Sequence, residues 1–313
     1  MVRALVFPGQ GSQAVGMGRE LAAAFPTARD TLEEIDEALH QRLSRLMFEG
    51  PESDLTLTEN AQPALMAVGL AVMRVLERDG GLELRRDAAF VAGHSLGEYS
   101  ALAAARALTL ADAARLLKRR GLAMQRAVPV GEGAMAALLG LELEDVRKVV
   151  ADAAQGRVCA CANDNGAGQV VVSGHADAVE RAVALATEHG ARRAIMLPVS
   201  APFHCALMEP AAREMEAALA AVDLREPVVP LVANVSAAPV QDPDEIRALL
   251  VEQVTGLVRW RECVIAMREA GVEEIAELGT GRVLTGLVKR IDRELTATAV
   301  GTPAEIDAFL KRL

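Results

Sequence analysis

The sequence predicts an α/β protein, with a smaller βαββαβ unit inserted into a larger unit built on a mostly parallel sheet. Short apolar runs alternate with longer helical patterns along most of the chain, and the order of strands and helices changes between residues 134 and 197. Of the 313 residues, 51% are hydrophobic, which is ample material for a core.

Five short apolar runs have the length and composition of buried strands. They lie at residues 4–7, 88–92, 229–235, 274–278 and 296–300. Helical patterns separate them, as is typical of strands that lie parallel in one sheet.

The segment between Pro129 and Pro198 has a different rhythm. Strand patterns at 134–139, 158–162, 169–173 and 192–197 and helical patterns at 142–154 and 176–189 follow the order β-α-β-β-α-β. This order is that of a ferredoxin-like module. We therefore predict a large domain made of residues 1–128 and 199–313 and a small domain made of residues 129–198.

Composition excludes several functional classes. A net charge of −10 with 3% aromatic residues argues against nucleic-acid binding. The apolar run at the amino terminus is too short for a secretory signal, and the longest apolar stretch, 63–73, is far short of a membrane span, so we expect a cytoplasmic protein. Of four cysteines only Cys159 and Cys161 are close, without a nearby histidine, and we expect buried filler and no metal site.

The most informative motif is Gly-x-Ser-x-Gly, with Ser95 at its centre. It follows an apolar strand pattern and precedes an alanine-rich helical pattern. On such a strand-to-helix turn, Gly93 and Gly97 let the backbone pass closely and leave the serine hydroxyl exposed as a nucleophile. The N–H of Leu96 then points to where negative charge develops on an attacked carbonyl. An ordinary Gly-Ser-Gly turn is the alternative.

A second glycine-rich turn, Phe-Pro-Gly-Gln-Gly-Ser-Gln at 7–13, follows the first strand. Gly9, Gly11 and Ala14 fit a dinucleotide-binding pattern, but a helical stretch replaces the second strand that this fold requires, and no lysine is placed to bind phosphate. The turn is better suited to bring a backbone N–H beside the serine.

A serine needs a base, and His204 is the best of the five histidines. His40, His175 and His189 lie among charged residues, and His94 points away from its neighbour's hydroxyl. His204 follows a proline-braced loop at the return to the large domain, where it serves either as the base or as a packed core residue. No orienting acid is identifiable, but a backbone carbonyl can fix the imidazole tautomer instead.

Arg120 lies on the apolar face of its predicted helix and needs an anion. Leu116, Leu117 and Met124 occupy the adjacent helical positions. The anion is either an internal Asp or Glu or the carboxylate of a ligand, which a planar guanidinium suits well.

These motifs and several further blocks together resemble the malonyl-CoA:acyl carrier protein transacylases, a family shared with acyltransferase domains of fatty acid and polyketide synthases. The resemblance covers essentially the whole chain. Its blocks are Phe-Pro-Gly-Gln-Gly-Ser-Gln at 7–13, Thr-Glu-Asn-Ala-Gln-Pro-Ala at 58–64, Gly-His-Ser-Leu-Gly-Glu-Tyr-Ser-Ala-Leu at 93–102, Arg-Gly-Leu-Ala-Met-Gln at 120–125, Ala-Asn-Asp-Asn at 162–165, Val-Ser-Ala-Pro-Phe-His-Cys-Ala-Leu-Met at 199–208, Val-Arg-Trp at 258–260 and Gly-Arg-Val-Leu-Thr-Gly-Leu-Val-Lys-Arg at 281–290.

The resemblance implies an α/β-hydrolase-like large domain with a ferredoxin-like small one. It also implies that Ser95 accepts the acyl group, that His204 is its base, and that the main-chain carbonyl of Gln253 orients the imidazole. The N–H groups of Gln10 and Leu96 would form the oxyanion hole.

For the substrate, the resemblance implies that Arg120 binds the malonyl carboxylate, that Gln62 lines the pocket and that Phe203 crowds an α-methyl group. The implied reaction moves malonyl from malonyl-CoA to the phosphopantetheine thiol of acyl carrier protein, with no cofactor in the enzyme itself. The chain departs from the family at 165–169, where glycines stand in place of a frequent proline.

Acyl carrier proteins are acidic, so docking on this acidic chain needs a local basic cluster. The candidates are Lys289, Arg290 and Arg293, or Arg192 and Arg193; the alternative is a solvated helix face. Two other functions stay open: an esterase or thioesterase that uses water as acceptor, and a non-catalytic carrier-binding protein. We expect a monomer.

Overall fold

The computed structural model describes residues 2–313 and contains two sheets. The strands are β1 (Arg3–Phe7), β2 (Phe90–Gly93), β3 (Gly133–Leu139), β4 (Cys159–Asp164), β5 (Gln169–His175), β6 (Arg193–Met196), β7 (Leu231–Val232), β8 (Pro239–Val240), β9 (Glu274–Leu278) and β10 (Thr296–Val300).

The helices surround both sheets. They are α1 (Arg19–Ala24), α2 (Pro26–Leu39), α3 (Leu43–Glu49), α4 (Glu52–Leu55), α5 (Thr58–Arg78), α6 (Leu84–Asp87), α7 (Gly97–Ala104), α8 (Leu110–Ala127), α9 (Leu143–Ala154), α10 (Ala176–Glu188), α11 (Glu209–Ala220), α12 (Pro243–Thr255), α13 (Trp260–Glu269), α14 (Val283–Ile291) and α15 (Pro303–Leu310). No helix within residues 2–313 is long and apolar enough to cross a membrane.

The larger sheet has the strand order β10-β9-β1-β2-β7-β8 and is parallel except for the pair β7–β8. Strand β1 is buried throughout. Its residues Leu5 and Phe7 join one apolar cluster, and Ala4 and Val6 join another. Alternate residues of a strand point to opposite faces, so the sheet carries a core on both sides, and the predicted α/β class is confirmed.

One predicted strand is wrong in length. The apolar run 229–235 forms only the two-residue strand Leu231–Val232. Pro230 has no N–H for a ladder, and after Val232 the chain turns back through a hydrogen bond from the Ala233 N–H to the Ala238 carbonyl, 3.1 Å. This early exit brings the next residue, Asn234, to the end of β2.

The smaller sheet has the order β4-β5-β3-β6 and is antiparallel. Helices α9 and α10 pack on it through a separate apolar cluster. The β-α-β-β-α-β order is as predicted, while the domain limits at 128/129 and 198/199 stay a prediction. The β4 edge of the smaller sheet contacts the larger unit. Val258 and Asn163 form an isolated parallel bridge, and Arg261 Nε donates to Asp164 Oδ2 at 2.8 Å.

Candidate active site

Ser95 stands on the turn between β2 and α7 in a left-handed backbone conformation, with a φ of 53°. The glycines on either side are required by close backbone packing. A Cβ at Gly93 would lie 1.9 Å from the Gly97 carbonyl carbon, and one at Gly97 would lie 2.3 Å from the Phe7 carbonyl oxygen. The turn therefore has the geometry of a nucleophile elbow.

The hydroxyl of Ser95 meets the imidazole of His204. Ser95 Oγ and His204 Nε2 are 2.8 Å apart, and His204 Nδ1 lies 2.8 Å from the main-chain carbonyl of Gln253. A carbonyl only accepts, so Nδ1 carries the hydrogen and Nε2 presents its lone pair to the serine. Burial, reinforced by the charge of Arg120, lowers the pKa of His204 to about 3 and keeps the ring neutral.

Two backbone N–H groups beside the serine are unpaired. Within residues 2–313 neither Gln10 nor Leu96 donates its N–H to a protein acceptor, and both residues line the same cavity as Ser95. The N–H of Ser95 itself is occupied, since it donates to Asn234 Oδ1 at 2.8 Å. The side chain of Gln10 is tied back by Thr58, whose hydroxyl donates to Gln10 Oε1 at 2.9 Å.

Arg120 is 1% exposed and reaches the nucleophile. Its Nη1 donates to Gln62 Oε1 at 2.8 Å, and its Nη2 donates to Gln253 Oε1 at 2.8 Å and to Ser95 Oγ at 3.1 Å. All three acceptors are neutral. Across residues 2–313, no Asp or Glu forms a direct ion pair with this guanidinium, and Glu98 acts on it only at longer range. Burial lowers the pKa of Arg120, and the nearby Tyr99 and Glu98 oppose that shift.

Sequence reasoning missed two residues that brace the site, Glu98 and Asn234. Glu98, 1% exposed on α7, accepts from the Asn234 N–H through Oε1 and from Gln253 Nε2 through Oε2. Asn234 also donates from Nδ2 to the Gly93 carbonyl at 2.8 Å. The available signal was Glu98 itself, an acid in an otherwise apolar helical stretch directly after the serine motif.

The site opens into a cavity of about 920 Å³. Residues of both sheet units line it, among them Met135 and Leu197 on one side and Gln62 on the other. Phe203, which precedes the histidine, also lines the cavity and is 9% exposed. A three-carbon acyl group fills a fraction of this volume, so room is left for a longer arm.

Each of the two basic clusters predicted from the sequence has one residue close to the loop 165–169. Their five side chains are exposed and, within residues 2–313, form no ion pair; they are Lys289, Arg290, Arg293, Arg192 and Arg193. Arg290 Nη1 donates to Gln169 Oε1 at 3.2 Å. Gly168 of the same loop approaches Gly140, against which Arg192 packs.

A hydroxyl on a strand-to-helix turn, bonded to a buried neutral imidazole and close to free N–H groups, is the arrangement of enzymes that form acyl-serine intermediates. The chain belongs to the acyl transferase domain family, whose sequence profile matches residues 4–302. The resemblance stated above is thereby confirmed.

Relatives cover the chain almost completely. A malonyl CoA-acyl carrier protein transacylase of Escherichia coli strain K12 is 46% identical over 98% of both chains, and one of Bacillus subtilis strain 168 is 45% identical over 99% of this chain and 96% of the other. An acyl-carrier-protein-S-malonyltransferase structure from Bartonella henselae is 55% identical, with a TM-score of 0.98 over 100% of this chain and 99% of that one. A malonyl-transacylase solved in complex with its type II PKS acyl-carrier protein is 43% identical, with a TM-score of 0.97 over 100% of both chains.

Proposed function

We propose that this protein transfers malonyl groups from malonyl-CoA to the phosphopantetheine thiol of an acyl carrier protein through a malonyl-serine intermediate. One observation carries the proposal. Ser95 Oγ lies within hydrogen-bond distance of both His204 Nε2 and Arg120 Nη2, at 2.8 Å and 3.1 Å. A nucleophile, a base and a cation that suits a carboxylate therefore converge on one oxygen atom.

In the first half-reaction, Ser95 Oγ attacks the thioester carbonyl while its proton passes to His204 Nε2. The N–H groups of Gln10 and Leu96 bind the oxyanion of the tetrahedral intermediate. The carbon–sulfur bond then breaks, and the imidazolium returns its proton to the coenzyme A thiolate. Throughout, the Gln253 carbonyl holds the Nδ1 hydrogen and stabilises the imidazolium.

In the second half-reaction, the carrier's thiol enters the cavity and loses its proton to His204 Nε2 as its sulfur attacks the ester carbonyl. The intermediate collapses with release of Ser95 Oγ, which recovers that proton. The enzyme returns to its starting state, and the two substrates bind in turn at one site, so ping-pong kinetics follow.

The carrier docks on the two exposed basic clusters. Arg290 on α14 reaches the loop 165–169 through Gln169, and Arg192 of the smaller sheet unit packs against Gly140, which Gly168 of the same loop approaches; Lys289 and Arg193 are their exposed neighbours in sequence. An acidic partner is steered to such a surface by charge even though the chain as a whole is acidic. Within residues 2–313 all four cysteines are free thiols, which supports a reducing compartment, the cytoplasm.

Intact-mass measurement tests the proposal. The protein mixed with malonyl-CoA should gain the mass of one malonyl group. When carrier with a free phosphopantetheine thiol is added, the enzyme should lose that mass and the carrier should gain it. Ser95→Ala should gain nothing, whereas Ser200→Ala, a second serine of the cavity wall, should acylate normally. Loss of the adduct to water faster than to the carrier would make the protein a thioesterase, and absence of any adduct would refute acyl transfer.

A further inference from the structure

Glu98 lies at the centre of the hydrogen bonds that hold the site. Each of its carboxylate oxygens accepts from a different element: Oε1 from the N–H of Asn234 after β7, and Oε2 from the Gln253 side chain on α12. Asn234 Oδ1 in turn accepts a hydrogen bond from the Ser95 N–H, and the Gln253 carbonyl accepts one from His204 Nδ1. The carboxylate touches none of the reacting atoms.

The orientation of the Gln253 amide follows from this contact. Its Nε2 faces two acceptors, the Glu98 carboxylate and the Ser95 carbonyl at 2.9 Å, and its Oε1 faces the donor Arg120 Nη2 at 2.8 Å. The reversed amide would set oxygen against two acceptors and an NH₂ group against a guanidinium, which only donates. Glu98 and the Ser95 carbonyl therefore together determine which end of Gln253 meets Arg120.

We propose that Glu98 is a positioning residue that fixes the Gln253 amide and thereby sets the selectivity of Arg120 for an acyl group that bears a carboxylate. This inference rests on the proposed malonyl transfer for its substrate and on the hydrogen-bond geometry for its mechanism. With Nη1 held by Gln62 and Nη2 held by Gln253, the guanidinium keeps one plane at the nucleophile. If Gln253 turns, one of these two tethers is lost.

The charges around Glu98 agree with this role. Arg120 is the cation that acts on it, Tyr99 lies beside it on the same helix, and Cys263 faces it from α13. Burial raises the pKa of Glu98, whereas Arg120 and the two N–H donors oppose that shift. Within residues 2–313 each carboxylate oxygen meets an N–H donor, the geometry that an ionised carboxylate requires.

Glu98→Gln is the first test. The Asn234 donor is part of the backbone and keeps the amide oxygen, so the new NH₂ group faces Gln253 and turns that amide. We expect the ratio of kcat/KM for Ser95 acylation by malonyl-CoA to that by acetyl-CoA to fall at least about fivefold, a loss that a general weakening of the fold would not cause.

Glu277→Gln is the matched control. Glu277 is also 1% exposed and accepts from the N–H groups of Leu284 and Thr285, outside the site. The Glu277→Gln substitution should lower the unfolding temperature. It should leave the malonyl-to-acetyl ratio of kcat/KM for Ser95 acylation within about twofold of the unchanged protein. A Glu98→Gln variant that behaves in the same way would overturn the proposal, since Glu98 would then only stabilise the fold.

A double-mutant cycle of Glu98→Gln and Gln253→Glu keeps the proposal testable if the single variant acylates too weakly to measure. In the double variant the amide introduced at position 98 can donate to the carboxylate introduced at position 253, which still accepts from Arg120. Both variants that carry Gln253→Glu lose the bond to the Ser95 carbonyl and gain the charge beside Arg120, so these effects cancel in the cycle. The single Gln253→Glu variant also sets two carboxylates against each other at positions 98 and 253, and the double variant relieves that repulsion, so the cycle measures whether these two side chains are in direct contact.

We expect the double variant to unfold at a higher temperature than the sum of the two single losses predicts, and additive losses would overturn the direct contact between positions 98 and 253 on which the amide orientation depends. Thermal unfolding needs no substrate. A failure here is therefore distinguishable from a failure of malonyl transfer, which the intact-mass experiment on the unchanged protein reports separately.

Discussion

Arg120 Nη2 lies 3.1 Å from Ser95 Oγ, so the residue that suits a carboxylate also contacts the nucleophile. In a malonyl group the free carboxylate and the reacting carbonyl are separated by one methylene, that is, by two bonds of about 1.5 Å each. A site that binds both ends of so short an acyl group must place its cation and its nucleophile side by side. The structure does so, with both residues held by Gln253.

Arg120→Ala should abolish the preference for malonyl. Removing the partner of a buried carboxylate costs about 3 kcal/mol, which is on the order of 100-fold in kcat/KM. Acetyl transfer should persist or rise, because acetyl leaves the guanidinium of the unchanged protein unpaired. The measurement is the rate of Ser95 acylation with each thioester. Equal loss with both substrates would remove Arg120 from the selectivity role.

The free energy of unfolding should fall at acidic pH because of the buried His204. The folded-state pKa is lowered to about 3, whereas the unfolded chain binds the proton near its ordinary value of 6.5. Between these two pKa values the unfolded state binds more protons than the folded state. The contribution of the neutral His204 to the free energy of unfolding is therefore complete above about pH 6.5 and is lost as the pH falls toward 3. By pH 5 the loss is on the order of 2 kcal/mol.

His204→Asn isolates this contribution, and asparagine tolerates the left-handed backbone at this position. Urea unfolding at pH 7 and pH 5 should show a smaller loss of stability for the variant than for the unchanged protein. Burial raises the pKa of Glu98, so Glu98 acts in the opposite direction and lowers the stability as the pH rises above its ordinary pKa of 4.5. Glu98 is present in both proteins, so it cancels in the comparison; equal losses would contradict the buried neutral imidazole.

Gly97→Ala should destabilise the fold by about 3 kcal/mol or more, or prevent folding, because its Cβ meets a backbone oxygen at 2.3 Å that has no room to move. Gly286→Ala is the control on another helix. Its Cβ would meet only the flexible end of Arg290 at 3.9 Å, so a gain of about 0.5–1 kcal/mol is expected. Chemical denaturation measures both. A Gly97 variant as stable as the unchanged protein would show that the elbow is not closely packed.

Reversing charge at Lys289 and Arg290 should raise KM for the carrier about tenfold and leave acylation by malonyl-CoA unchanged, because exposed charges mainly steer association. Arg78→Glu is the control. Arg78 is an exposed residue at the far end of α5, a 21-residue helix about 30 Å long. The effect should shrink with added salt. An unchanged carrier KM would place docking elsewhere.

The sequence was sufficient to predict the elbow, the histidine and the arginine, because each depends on a local pattern. Gly-x-Ser-x-Gly between a strand and a helix specifies its own geometry, and Arg120 is recognisable by the apolar neighbours on its helix. What surrounds Arg120 was not predictable. Its acceptors, Gln62 and Gln253, come from helices 58 and 133 residues away along the chain.

The bracing residues were missed for the same reason. Asn234 reaches Ser95 only because β7 ends after two residues, and an apolar pattern that runs on to position 235 gives no sign of that exit. The role of the Gln253 main-chain carbonyl was available only through the family resemblance, since any residue offers such a carbonyl. Functional residues that stand in a local sequence pattern were thus predictable, whereas the residues that contact them from distant parts of the chain were not.

Ser95 and His204 both occupy left-handed backbone conformations, with φ values of 53° and 57°. For residues other than glycine each such conformation costs about 1 kcal/mol or more. Thermal stability and catalysis therefore favour different residues at these two positions. Evolution for heat resistance in the absence of substrate would favour glycine or asparagine at both, and the chain that emerged would be hardier and inert.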